Sequence, residues 1–269
     1  MDHLENALQS GLEIEALFCE LPSNILLTSI NLHRIRTLAD RYGFIVACDD
    51  TVAGFVNIDA MRYVDVMISS LTKTFSGFSN VTGGSLVINS SSPRYQSIHE
   101  ALSKNYENGC FPLDSEVLHN NCQNMAWRVK KCNDNTLPLV TLLSSHPSIA
   151  QVHHPSTAPT SPHYRSVMRK DGGYGNVLSI VFHSPRSAEY FYDVLGVCKG
   201  SSFGTNFTLA IPYVQLANYW NLEKVPKYGV PQHIIRMSVG LEDSDQLVAT
   251  VTKALKAVEK FESKHCLEC

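Results

Sequence analysis

The chain lacks a surplus of either charge. Its 22 lysines and arginines face 25 aspartates and glutamates over 269 residues, a formal net charge of -3. That balance offers no electrostatic case for nucleic acid or an anionic membrane as partner. It also lacks any apolar run approaching the roughly 20 residues that cross a bilayer. The first residues, Met1-Asp2-His3-Leu4-Glu5-Asn6, have neither the basic nor the apolar region of a secretory signal, and they carry acids where a transit peptide carries arginine. A soluble cytoplasmic protein is the expectation. There is no internal repeat and no low-complexity tract. There is no G-x-S-x-G elbow and no paired-cysteine zinc site. Gly172-Gly173-Tyr174-Gly175 lacks the lysine and the preceding strand of a phosphate loop. His153 and His154 point apart in an extended chain and have no acidic partner at metal-site spacing. The cysteines at 19, 48, 110, 122, 132 and 198 are isolated, as buried thiols are in a reducing compartment. Cys266 and Cys269 have the spacing of a redox pair or half a zinc site, but no second pair completes a tetrahedron, and a frayed tail is expected there.

What is present is enough apolar residue, 44% of the chain, for a large core in one big or two modest domains. Residues 1–12 read as a short helix ending at Gly11. Ile14–Cys19 reads as a strand. Asn31 can cap a helix whose Leu32, Ile35, Leu38, Ala39 and Tyr42 recur at helical spacing until Gly43. Strands are expected at Phe44–Cys48, at Tyr63–Ile68 and at Ser85–Ile88. Residues 95–145 read as helical, with a long segment from Asp114 to Pro138. Residues 151–175 read as loop. Val177–Phe182 and His233–Val239 are strand candidates, separated by a helix at 187–195 and a tight turn at Gly200–Gly204. Ser244 can cap a last helix, with Leu247, Val251, Ala254, Leu255 and Val258 on one face. Near-continuous apolar strands joined by a helix predict an α/β fold whose mostly parallel sheet is covered on both faces. A domain boundary is placed near residue 132, giving 1–132 and 133–269.

In such sheets ligands bind beyond the carboxyl ends of the strands. Asn24, Asp49 and Lys73 each follow the end of a different expected strand, which points to one site. Lys73 lies in Ser69-Ser-Leu-Thr-Lys-Thr-Phe-Ser-Gly77, just after a buried strand. A charged amine is out of place at a buried strand end unless something uses it. A desolvated lysine is a nucleophile toward carbonyls, and the aldehyde of pyridoxal phosphate is its natural partner. That cofactor also needs a carboxylate at its ring nitrogen, donors for its phosphate and a cation for the substrate carboxylate. Asp49, the hydroxyls of Ser70 and Thr72, and Arg236 are available for these roles. Each residue has a plainer use when taken singly. Lys73 fits a solvated serine-rich loop, Asp49 a helix cap and Asn24 a turn. Ser70, Thr72 and Ser202 fit caps and turns, and Arg236 an exposed strand position.

Three motifs in order, Glu20-x-Pro22-Ser23-Asn24, Asp49-Asp50-Thr51 and Ser70-x-Thr72-Lys73, resemble the signature of the pyridoxal-phosphate enzymes of cysteine and methionine metabolism. Lys199–Thr208 and Ile235–Glu242 are similar to fungal cystathionine γ-synthases, and the resemblance runs from about Gly11 to the last helix. It implies a fold-type I transferase, with an incomplete large cofactor domain and a smaller C-terminal α/β domain. It implies pyridoxal 5'-phosphate as cofactor, with Lys73 holding the aldehyde and moving substrate protons. It implies Asp49 at the pyridinium nitrogen, Ser70 and Thr72 at the phosphate, and Asn24 at the ring's phenolic oxygen. Ser202 would lie by the lysine, and Arg236 would take the substrate α-carboxylate. It further implies small amino-acid substrates and a homodimer or homotetramer.

The sequence departs from that pattern in places. Ile25 and Ser201 stand where prolines are usual. Family members resemble this chain only after a long N-terminal stretch, expected to hold the residue that stacks on the cofactor ring and part of the phosphate site. Three readings follow. One is a γ-replacement enzyme joining an O-acylhomoserine and cysteine. The second is a γ-lyase or O-acylhomoserine sulfhydrylase. The third is a non-catalytic remnant that at most associates with an intact paralogue.

Overall fold

The computed structural model describes residues 1–265. The Cys266/Cys269 pair lies outside the described residues. The chain begins with helix α1 (Asp2–Gln9), strand β1 (Ala16–Glu20), helix α2 (Leu32–Tyr42) and strand β2 (Ile45–Asp49). Strands β3 (Val66–Ser70) and β4 (Gly84–Ile88) complete a sheet in the order β1-β2-β3-β4. Asn31 Oδ1 accepts the Arg34 N–H at 3.0 Å, satisfying one free donor of the first turn of α2. Gly43, at φ 82°, takes the left-handed position that ends the helix. Leu32, Ile35, Leu38 and Ala39 form the buried stripe of α2, packed with Val46, Cys48 and Met67 of the sheet. Near-continuous burial along β2 explains why its first four residues, Ile45-Val46-Ala47-Cys48, are all apolar.

The first sheet is mostly parallel, as expected, but it is mixed. β1, β2 and β3 are parallel, but β4 runs antiparallel to β3, with Val66 opposite Ile88 and Ser70 opposite Gly84. The cause is local. The Leu71 N–H donates to Gly83 O at 2.8 Å, so the chain returns to where it left the strand and no crossover is made. Cover on both faces is also incomplete. Phe18 is 75% exposed and Leu86, on the same face, is 46% exposed.

Three helices follow, α3 (Tyr95–Asn105), α4 (Pro112–Asn121) and α5 (Met125–Ser144). The expected break at Pro138 does not occur. Leu139, Val140 and Leu143 beyond the proline are buried in the main core, and that packing carries the helix past the missing N–H. Residue 132 lies inside α5.

The second sheet has the order β5-β6-β9-β8-β7. Its elements are β5 (Ile149–His153), α6 (Ser161–Arg165), β6 (Val177–Phe182), α7 (Pro185–Val194), β7 (Cys198–Lys199), β8 (Leu209–Pro212), α8 (Tyr213–Ala217), β9 (Ile235–Ser238) and α9 (Ser244–His265). Only the short β7–β8 pair is parallel in it. β5 corrects the loop reading of 151–153. It is an edge strand with Ala150 and Gln151 exposed, so its sequence has no apolar run to announce it. Residues of α5, α7 and α9 close the core over one face, around Leu178, Ile180, Phe191, Met237 and Val251.

On the other face the second sheet meets loops of the first. Ser179 Oγ donates to Ile25 O at 2.9 Å, and Leu27 and Val52 pack with Val177 and Phe203. Conversely, Tyr164 and Val167 join the core beneath the first sheet. Loops from the carboxyl ends of β1, β2 and β3 are therefore held against the middle of the second sheet. No described helix is long and apolar enough to cross a membrane.

Candidate active site

A cavity of about 200 Å³ lies where the two sheets meet, lined by Glu20, Pro22, Asn24, Asp49, Thr51, Val52, Ser70, Lys73 and Phe203. A larger cleft of about 700 Å³ lies between α1 and the end of α2 and holds none of the residues singled out above. The small cavity is the chemically relevant one, because strand ends from separate βα units bring an amine, carboxylates and hydroxyls together there.

Lys73 sits within a single π-helical turn, Leu71–Phe75, where its own backbone breaks the helical pattern at φ -85° and ψ -128°. That kink follows directly from the end of β3 and turns the side chain toward the second sheet. Its Nζ donates to Ser202 Oγ at 3.0 Å and lies 5.1 Å from the centre of the Phe203 ring. Burial pushes the amine's pKa below the ordinary lysine value, and the nearby Arg236 charge pushes it the same way. An amine so placed is neutral more often than a surface lysine, which a nucleophile or proton acceptor requires.

Arg236 is at the centre of the second sheet, opposite Ser179 on β6 and Ile211 on β8, and only 2% exposed. Its sequence neighbours Ile235 and Met237 point into the core on the opposite face, so Arg236 itself faces the loops of the first sheet. Nη1 donates to Asn24 Oδ1 at 3.0 Å, and Nη2 donates to Ser201 O at 2.7 Å and Ser202 O at 3.1 Å. Phe203 and Tyr213 present their rings at 5.1 and 5.0 Å from the guanidinium carbon. These bonds use three of the five N–H donors and leave two for a further acceptor. Asn24 is itself fixed by its N–H, which donates to Glu20 Oε2 at 2.8 Å.

Asp49 ends β2 and accepts the Thr51 N–H at 2.8 Å through Oδ1. Thr51 Oγ1 in turn accepts the Ser70 N–H at 2.8 Å, tying the β2 and β3 ends together. Asp50 is buried and accepts a hydrogen bond from Ser69 Oγ. Desolvation raises its pKa to about 6.

Asn24, Asp49, Ser70 and Lys73 thus line one cavity, and Ser202 and Arg236 bond directly to its members. Thr72 differs. Its hydroxyl accepts the Gly83 N–H at 3.0 Å and donates to Gly83 O at 3.3 Å, so it closes the turn and is absent from the cavity wall. Sequence reasoning assigned no role to Phe203, which lies between both cations, or to Thr51 and Glu20, which brace the strand ends. Their only signal was adjacency to the three motifs and to the Gly200–Gly204 turn. An amine, a carboxylate at a strand end, a hydroxyl and a buried guanidinium around one small cavity form the donor set that a pyridoxal-type group needs. These residues fit it.

A family model described as "Cys/Met metabolism PLP-dependent enzyme" matches residues 1–256. A cystathionine gamma-synthase-like protein of Aspergillus thermomutatus is 49% identical over 96% of this chain and 46% of its own length. A cystathionine gamma-synthase of Neurospora crassa is 39% identical over 97% of this chain and 42% of its own. The chain therefore spans less than half the length of these curated relatives. Among solved structures, cystathionine gamma synthase from Xanthomonas oryzae pv. oryzae, in complex with cystathionine, superposes with a TM-score of 0.85 at 21% identity. That match covers 96% of this chain and 66% of the other, and it speaks for the fold alone. The chain belongs to the family of pyridoxal-phosphate-dependent enzymes of cysteine and methionine metabolism.

Proposed function

We propose that this chain carries the catalytic lysine and the substrate arginine of a cystathionine γ-synthase-like transferase, which joins an O-acylhomoserine to cysteine. Its fold is read as fold-type I, with a partial cofactor domain in 1–132 and a smaller domain in 133–269. The observation that carries this reading is the meeting of Lys73, with its lowered pKa, and buried Arg236 around the cavity that Asp49 lines. Pyridoxal phosphate, when bound, supplies an aldehyde for amines and a ring that accepts the electron pair from a substrate's Cα. Asp49 would hold the ring nitrogen protonated, Asn24 would face the phenolic oxygen, and Ser70 would donate to the phosphate. Thr72 holds the turn that presents Ser70 and Lys73. Arg236 would take the substrate α-carboxylate with its two spare donors. Lys73 Nζ would remove the Cα proton and return a proton later in the sequence, with Ser202 Oγ holding the amine between those steps. The γ-acyloxy group leaves and the thiol adds at the same carbon. A homodimer or homotetramer is part of this reading, by analogy with the family.

The test is spectroscopic first. Purified protein with saturating pyridoxal phosphate is expected to develop a visible absorbance band that borohydride bleaches, with the label on Lys73 by mass spectrometry. Lys73→Ala should show no band. A wild-type chain that stays colourless sinks the reading for this polypeptide. With O-acetylhomoserine, cystathionine formed only when cysteine is present supports replacement, whereas oxobutyrate from either mixture moves the assignment to γ-elimination. Cystathionine's absence, with homocysteine formed from sulfide, moves it to direct sulfhydrylation.

A further inference from the structure

Arg128 is a cation that the chemistry above does not use, and its surroundings are unusual. It is only 2% exposed, in the first turn of α5. A positive charge is disfavoured there by the helix dipole, and a buried charge is costly without a partner of opposite sign. Among the described residues no carboxylate pairs with it. All five N–H donors instead end on neutral oxygens. Nε donates to Asn124 Oδ1 at 2.8 Å. Nη1 donates to Thr74 O at 3.0 Å and Asn206 Oδ1 at 3.2 Å. Nη2 donates to Phe75 O at 2.8 Å and Asn121 O at 3.0 Å.

Two of these acceptors are the carbonyls that immediately follow Lys73. The back of the same turn is tight. A Cβ on Gly77 would overlap Arg128 Nη1 and Asn206 Oδ1. The Asn206 N–H donates to Gly77 O at 2.7 Å, and a Cβ on Gly204 would meet the Thr74 backbone N at 2.6 Å. The back of the kinked turn that carries Lys73 is therefore held by the Arg128 guanidinium, by the loop at 204–206 and by Asn121, whose Nδ2 donates to Ser76 Oγ at 2.8 Å. A lysine cannot reproduce this, since its three donors diverge from one point and cannot reach acceptors spread around a planar fork.

We propose that Arg128 is the positioning residue for Lys73. Its guanidinium holds the Thr74 and Phe75 carbonyls, fixing the kink that sends the Lys73 amine into the cavity beside Ser202 and Phe203. The uncompensated burial of its charge is the cost of that placement, because the desolvated cation makes stronger bonds to carbonyls than a neutral donor would. This rests on the reading of Lys73 as the reactive amine, and the test separates the two.

The test measures Lys73 directly, with no need of bound cofactor. Competitive labelling of amines, read by mass spectrometry across pH 7 to 10, gives the reactivity of Lys73 against the other lysines, while hydrogen exchange reports residues 71–77. Asp49 and Glu20 line the cavity with the amine, Arg236 bonds to Asn24 of its wall, and all three stay in place in every variant. Arg128→Met, Arg128→Lys and Gly77→Ala are expected to lower Lys73 labelling at pH 8 by about threefold, as the amine escapes to water and regains its proton. Exchange at 71–77 should rise in all three. Leu139→Ala, a control in the same helix and fully buried, should lose stability without changing either readout. Should Arg128→Lys match wild type in both, or should Leu139→Ala reproduce the change, the proposal is overturned. If Arg128→Met does not fold, Arg128→Lys and Gly77→Ala decide it in the same way. Absence of the visible band with pyridoxal phosphate in the wild type would overturn the cofactor reading alone, since labelling and exchange do not depend on it.

Discussion

Lys73 Nζ and Ser202 Oγ, 129 residues apart in the chain, meet at 3.0 Å across the junction of the two sheets. Ser202→Ala removes the acceptor from a half-buried amine and leaves its charged form less favoured. Lys73 should label faster at pH 8 as a result, by about threefold, with a stability loss of no more than about 1 kcal/mol in urea denaturation.

Lys73 also makes stability depend on pH. Its folded pKa lies below the unfolded value, so the unfolded chain binds more protons between the two. Stability is therefore lowest below the folded pKa and rises as pH climbs toward the ordinary lysine value of about 10.4. Lys73→Met should remove that rise, in denaturant midpoints measured from pH 7 to 10.

Asp50 gives the opposite slope in another window. Burial raises its pKa from 3.8 to about 6, so the folded chain binds more protons between those values. Its contribution is fully present below about pH 4 and is lost as pH rises through about 6. Asp50→Asn keeps an oxygen for the Ser69 hydroxyl and carries no charge. The variant should flatten this window and be more stable than wild type at pH 7, by about 3 kcal/mol at most. A variant less stable at pH 7 would show that the carboxylate's charge is needed.

Phe203 faces both cations of the site, at 5.1 Å from Lys73 and 5.1 Å from Arg236. Phe203→Leu keeps most of the packing against Leu27, Val52 and Val177 but removes the ring's negative face. A loss of about 1–2 kcal/mol is expected, and Phe203→Ala should cost about 3–4 kcal/mol by adding a cavity. A Phe203→Leu variant as stable as wild type would mean that the aromatic face contributes nothing.

Arg236→Met leaves Asn24 Oδ1 and the Ser201 and Ser202 carbonyls without their donor. Destabilisation of about 2–4 kcal/mol is expected. The loss of a neighbouring positive charge should also slow Lys73 labelling at pH 8, the reverse of the Ser202→Ala effect.

Much of this was legible in the sequence because local physics wrote it there. Asn31 and Gly43 bracket α2 by capping chemistry, and β2 and β6 are apolar runs because both faces are covered. The site was legible for the same reason. Asn24, Asp49 and Lys73 each follow a strand, and strand ends in such sheets converge. What escaped depends on the tertiary fold. Pro138 reads as a stop, but the core beyond it holds the helix. Strand β4 runs antiparallel because residues 71–83 form a loop that returns beside β3, closed by the bond between Leu71 and Gly83, which no periodicity records. Thr72 reads as a phosphate donor, yet the same Gly83 engages its hydroxyl. Arg128 carries no signal of its own in the helical stretch 95–145, and only its five carbonyl and amide partners show what it does.

The bond between Arg236 and Asn24 spans 212 residues of chain. Contacts that distant must first meet the entropy of closing so large a loop before they give any return. Until they form, Lys73 is an amine at the end of one small sheet, with no guanidinium beside it. A ligand that needs both groups can bind only after the second sheet has docked. Its binding would then favour the fully assembled chain over every partly folded one, by mass action. The cavity is in that sense a checkpoint on folding.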